Sequence, residues 1–178
     1  MIYEPAEDSF LLASCVSKEV KGKRVLDLCT GSGIQASTAL KYGAKNVLAA
    51  DIQEEAVEYV RKQGITAVRS NLFDNVKGEF DVIICNPPYL PKDNREDKKS
   101  ARITSGGRKG DELILRVLRS SPKHLTPKGC VLLVVSSITP QNRIRVALRK
   151  NYFLKQVLAK QKLFMEQLEV WKLTLAPQ

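Results

Sequence analysis

Apolar runs and polar, helix-periodic segments alternate along most of this chain. Short apolar runs at Arg24-Val25-Leu26, Asn46 to Asp51, Ala67 to Ser70 and Phe80 to Cys85 read as buried strands. Gly129 to Val135 is too continuously apolar for a sheet edge and reads as a central strand. Helices are predicted over Ser9 to Lys18, Ile34 to Tyr42, Glu54 to Gln63, Asp111 to Ser120 and Gln141 to Lys150. In the fourth, Leu113, Ile114, Val117 and Leu118 share one face, Asp111 is the expected cap and Pro122 closes the segment; Pro140 opens the fifth. Strand and helix in turn predict an α/β fold, a mostly parallel sheet with helices on both faces. After Lys150 the alternation stops. Tyr152 to Ala159 and Leu168 to Leu175, joined by Lys160-Gln161-Lys162, predict an antiparallel hairpin at the sheet edge and bring the strands to seven. The long irregular stretch Pro91 to Gly110 exceeds ordinary connections and is read as a substrate lid.

Polar residues collect where the predicted strands end. Asp27-Leu28-Cys29-Thr30-Gly31-Ser32-Gly33 joins the first strand to the next helix, and its two glycines permit positive φ and close approach of a ligand to the backbone. The dinucleotide fingerprint is incomplete, since Ala36 stands where its third glycine belongs. The acid Asp27 suits a cationic ligand better than a pyrophosphate. Asp51 ends the second strand at the distance where nucleoside-binding folds place a carboxylate on ribose hydroxyls. Asn71 and Leu72 follow the third strand, where a polar side chain can meet an adenine amino group. Asn86-Pro87-Pro88-Tyr89 follows the fourth. Its side-chain and backbone carbonyls can accept both hydrogens of a flat NH2 group while Tyr89 lies against its plane, so the target is an amide or an exocyclic amine.

Length and composition narrow the class. At 178 residues with 43% hydrophobic and 6% aromatic content, a single domain over 1–178 is expected. With neither a run long enough to span a membrane nor a signal-like N-terminus, the expected location is cytoplasmic. Cys15, Cys29, Cys85 and Cys130 are widely spaced, three of them inside predicted strands, and read as buried thiols. A lone histidine, His124, removes multi-histidine metal sites and most histidine-based catalysis. The net charge of +10 points to an anionic partner, nucleic acid or ribonucleoprotein, with its densest basic segment between Lys92 and Lys109.

These motifs resemble the class I S-adenosylmethionine-dependent methyltransferases, with their Rossmann-like fold. Tyr3 to Leu12, Gly106-Gly107-Arg108-Lys109-Gly110 and Glu166 to Val170 narrow the resemblance to the archaeal and eukaryotic branch of the HemK family, over essentially the whole chain. The resemblance implies methylation, from S-adenosylmethionine, of the glutamine amide in the Gly-Gly-Gln loop of a class I peptide-chain release factor. It implies Asn86, Pro87, Pro88 and Tyr89 as the catalytic motif. The cofactor's methionine part would lie against Ser9, Asp27, Cys29, Gly31 and Gly33, its ribose and adenine against Asp51, Ile52, Asn71 and Leu72, with Asn86 at the reacting end. A small zinc-ribbon activator protein is implied as a partner. Two residues depart from the family pattern: Cys29 stands at a usual glycine and Asn71 at a usual aspartate. A methyltransferase for N6-adenine or another exocyclic amine of DNA or RNA is the alternative, a protein-lysine methyltransferase ranks third, and an inactive cofactor-binding adaptor is the non-enzymatic reading.

Overall fold

The computed structural model describes residues 2–91 and 104–177. Seven strands form one sheet: β1 (Arg24–Leu28), β2 (Asn46–Asp51), β3 (Ala67–Arg69), β4 (Phe80–Cys85), β5 (Leu125–Ser136), β6 (Phe153–Lys162) and β7 (Gln167–Leu175). Their order is β3-β2-β1-β4-β5-β7-β6. The first five run parallel, β7 is antiparallel to β5, and β6 forms the edge, antiparallel to β7. The expected sheet and terminal hairpin are both present.

Alternation along the central strands assigns each side chain to one of two cores. Val25, Val47, Ala49, Val82, Ile84, Leu132 and Val134 pack under Leu12 and Val16 of α1 (Glu7–Glu19), Ala36 and Ala39 of α2 (Ile34–Lys41), and Val57 and Val60 of α3 (Glu54–Lys62). Leu26, Leu28, Ile83, Val131 and Leu133 face Ile114, Val117 and Leu118 of α4 (Glu112–Ser120) and Ile144 and Leu148 of α5 (Gln141–Lys150). Strand order reverses between β1 and β4, so the carboxyl ends of these neighbours flank the crevice in which open α/β sheets bind ligands.

Several boundaries differ from expectation. Helix α1 begins at Glu7 rather than Ser9, because Glu7 and Asp8 add acidic side chains to the first turn, where the helix dipole favours them. Asp111 makes no side-chain cap bond; buried, it instead forms an ion pair with Arg143 Nη1 of α5 at 2.9 Å. Lys160 to Lys162, expected as the hairpin connector, continue β6, and the chain reverses over residues 163–166 with the Leu163 N–H donating to the Glu166 carbonyl at 2.7 Å. Only Cys85 and Cys130 lie in strands; Cys15 is on α1, and Cys29 follows β1. Residues 92–103 of the expected lid, with most of the basic segment, lie outside the described residues. The flanks of that stretch pair with each other: the Leu90 N–H donates to the Thr104 carbonyl and the Gly106 N–H to the Leu90 carbonyl, each at 2.9 Å. Among the described residues, no helix is long and apolar enough to cross a membrane.

Candidate functional site

A cavity of about 690 Å³ opens at the carboxyl ends of β1 to β4. Cys29, Gly31, Asp51, Ile52, Asn71, Leu72, Asn86, Pro87, Pro88 and Tyr89 all line it, so ten residues read from four separate motifs share one wall. Ser9, Asp27 and Gly33 stand behind that wall. Asp27 is 1% exposed, and its Oδ2 accepts from Thr30 Oγ1 at 2.6 Å and from the Ala36 N–H at 3.1 Å, tying the glycine turn to the start of α2. Its position on β1 turns it toward the α2 face, which is why a residue expected to meet the ligand becomes the internal anchor of the turn. Gly33 is the left-handed residue just before α2, with φ 79°, and a Cβ there would meet Val60 Cγ2 at 2.9 Å.

Burial pushes the Asp27 carboxyl up to about 7, against the opposing pull of the Thr30 and Ala36 bonds. The unfolded value is about 3.9, so the folded chain holds an extra proton between the two. That contribution to stability is complete below the unfolded value and is lost as pH rises through the folded one. Wild type should therefore lose stability relative to Asp27→Asn between about pH 5 and about pH 8, which urea unfolding of both proteins at the two pH values measures. A difference that does not change with pH would contradict the assignment.

At the β2 end, Asp51 uses one carboxylate oxygen for each of two backbone donors: Oδ2 accepts from the Gly31 N–H at 3.0 Å and Oδ1 from the Gln53 N–H at 2.9 Å. Each oxygen keeps a further lone pair for a ligand hydroxyl. Ile52, 54% exposed, offers an apolar shelf beside it. At the β3 end Leu72 adopts a left-handed backbone, φ 55°, held by Ser70 Oγ donating to its carbonyl at 2.7 Å. Asn71 Oδ1 accepts from Arg116 Nη2 at 3.0 Å, so one lone pair of the oxygen expected to meet an adenine amino group is already taken. Cys29, also left-handed at φ 56°, shows why a glycine suits that position.

At the β4 end Asn86 donates from Nδ2 to Asp8 Oδ2 at 3.1 Å and to Ser9 Oγ at 3.4 Å. Its Oδ1 is shielded from water and accepts no hydrogen bond from the described residues. Burial, and then the charges of Asp8 and Glu166, raise the Tyr89 pKa far above the ordinary phenol value, so it stays protonated. The segment Gly106 to Gly110 backs this turn. A Cβ on Gly106 would lie 2.5 Å from the Pro88 carbonyl oxygen, and one on Gly110, at φ 86°, 2.4 Å from that of Tyr89. Gly110→Ala should cost at least about 2 kcal/mol, combining left-handed strain with overpacking. Thermal unfolding measures it, and a variant as stable as wild type would show that the two segments are not packed together.

Tyr3, Asp8, Arg69 and Arg116 also line the cavity and were not singled out from sequence. Tyr3 and Asp8 lie in the opening decapeptide, but helical spacing does not distinguish a first-turn acid from a pocket carboxylate. Among the described residues no cluster of histidine, cysteine, aspartate or glutamate could hold a metal.

A Methanocaldococcus jannaschii protein named as a protein N5-glutamine methyltransferase is 35% identical over 97% of this chain and 92% of its own length. The release factor glutamine methyltransferase of Borreliella burgdorferi is 30% identical over 62% of this chain, which spans 44% of that relative. The solved E. cuniculi Mtq2–Trm112 complex, described as responsible for methylation of the eRF1 translation termination factor, superposes with a TM-score of 0.81 at 27% identity. That match covers 98% of this chain and 99% of the other. The profile of the methyltransferase small domain spans residues 6–166, which hold every cavity residue named above except Tyr3, and the chain belongs to that family.

Proposed function

We propose that this chain, as one domain, transfers a methyl group from S-adenosylmethionine to the side-chain amide nitrogen of the glutamine in the Gly-Gly-Gln loop of a class I peptide-chain release factor. The observation that carries this reading is the Asn86 carbonyl oxygen, buried at the cavity wall without a donor among the described residues. An unmet buried acceptor costs about 1–3 kcal/mol, which an incoming N–H recovers. The names of the M. jannaschii and B. burgdorferi relatives support an amide acceptor, and the E. cuniculi complex supports a small partner, here proposed to be a zinc-ribbon activator. The charge of +10 supports ribosome or RNA contact.

The residues present fit the cofactor. The cavity volume is in the range of small-molecule sites. Asp51 has lone pairs for the ribose hydroxyls, Ile52 and Leu72 would flank an adenine, and Gly31 has no Cβ to obstruct the backbone. When bound, S-adenosylmethionine supplies an electrophilic methyl on a sulfonium centre. An amide nitrogen is a weak nucleophile because its lone pair is delocalised into the carbonyl. Asn86 Oδ1 and the Pro87 carbonyl would accept its two N–H bonds, raising electron density on nitrogen and aiming it at the methyl. Tyr89, partly buried at the cavity wall, would pack on the amide plane. The methylated nitrogen then sheds a proton to water, and no titrating base is needed before transfer.

The test is transfer of labelled methyl by the purified chain, with and without a zinc-ribbon activator, to a release factor and, separately, to DNA and RNA. Label on the Gly-Gly-Gln amide supports the reading; label on nucleic acid alone replaces it.

A further inference from the structure

We infer that Asp8 is a positioning residue for the acceptor site, holding the Asn86 side chain so that its oxygen, not its nitrogen, faces the substrate. The inference rests on the amide-acceptor reading above. An asparagine amide is nearly symmetric in shape and opposite in chemistry at its two ends. Turned one way it accepts from a substrate N–H; turned over, it presents its own N–H to that N–H and repels it. Something must choose between the two.

Asp8 supplies the choice. Its carboxylate, 5% exposed, reaches from the first turn of α1 to the end of β4, 78 positions along the chain. An ionised carboxylate only accepts, so it favours the Asn86 NH2 at 3.1 Å and would oppose a carbonyl oxygen in its place. Asp8 is itself fixed. Tyr3 donates its hydroxyl to both carboxylate oxygens, at 2.8 and 3.0 Å, and Oδ1 also accepts from the Ser9 N–H at 2.6 Å and Ser9 Oγ at 3.2 Å. The Tyr3 phenol is raised above its ordinary pKa, first by burial and then by the Asp8 charge, and so stays a donor at working pH. A purely local role does not account for Asp8: one oxygen accepts from the first-turn Ser9 N–H, while the other takes the Asn86 NH2 from the end of β4. The orphaned Asn86 oxygen at the cavity is what this arrangement leaves over.

The test uses the full chain with S-adenosylhomocysteine as the binding probe and a release factor as acceptor. Asp8→Ala should lower kcat about 10- to 100-fold with S-adenosylhomocysteine affinity changed less than about 3-fold, as loss of a charge-assisted bond predicts. Asp8→Asn, which keeps the volume and a carbonyl for Asn86, should fall between that variant and wild type. In an Asn86→Ala background, Asp8→Ala should lower kcat no further, since non-additivity marks residues acting through one another. Independently of turnover, the side-chain NH2 resonances of Asn86 in ¹⁵N-asparagine-labelled protein should shift and exchange faster in Asp8→Ala. Unchanged resonances, fully additive losses, or cofactor affinity falling in step with kcat would each overturn the inference. A wild-type chain that methylates no amide would instead sink the functional reading, while the resonances still decide whether Asp8 locks Asn86.

Discussion

Asn86→Ala should lower kcat by about 10²- to 10³-fold, the range found when a preorganised transition-state hydrogen-bonding group is removed. Affinity for S-adenosylhomocysteine should stay within a few-fold. The split follows from where the side chain stands. Asn86 lies at the β4 end of the cavity, while Asp51, Ile52 and Leu72 line the β2 and β3 ends. Its free oxygen makes no bond to the described residues, so truncation leaves the resting pocket little changed on that side. What disappears is an acceptor whose hold strengthens as the attacking nitrogen gives its lone pair to the methyl and its N–H groups become more acidic, an effect confined to the reacting state. Single-turnover kinetics beside calorimetric titration separate the two quantities. A comparable loss of affinity would reassign Asn86 to the cofactor pocket.

Asp51→Ala should show the reverse pattern, weakening S-adenosylhomocysteine on the order of 100-fold, as expected when two charge-assisted hydrogen bonds are lost. The carboxylate is buried to 7% exposure and fixed from both sides by the Gly31 and Gln53 N–H groups, so it meets a diol without first being ordered. Removing it also leaves those two N–H groups without their partner, and some of the loss will come from a loosened glycine turn. Asp51→Asn helps to separate the contributions, because it keeps the volume while placing a donor where one of these N–H groups expects an acceptor. Equal cofactor affinity in wild type and Asp51→Ala would remove Asp51 from the ribose site.

The sheet was readable because its strands are short runs with unambiguous patterning. Phe80 to Cys85 and Asn46 to Asp51 are bounded in the structure as in the sequence. Strand β5 was harder: its opening residues, Leu125 to Lys128, carry a proline and a lysine that disguise pairing of Leu125 with Phe80, and the register shifts before Val82 meets Cys130. At the site, spacing revealed that strand-end residues converge but not which of them touch the cavity. Asp27 precedes Gly31 by four positions and reads as a ligand contact; only the packing of α2 over its face shows it buried. Arg116 looks like an ordinary charge on the polar side of an amphipathic helix until the fold brings it against Asn71. That contact joins positions 45 residues apart, and local periodicity carries no information about it.

The docking of α1 has a consequence for how the enzyme comes into being. This helix packs on β5, β6 and β7, with Leu12 and Val16 in the same core as Leu168 and Val170, and Glu19 pairs with Lys172 at 2.7 Å. The helix bearing Asp8 and the strands it packs on lie far apart in the chain, Glu19 and Lys172 by 153 positions, and contacts of such separation are slow to close. The seat of α1 on β5 to β7 therefore closes after the local turns that carry Asp27 and the Asn-Pro-Pro-Tyr corner, and competence for chemistry follows that slower step of folding.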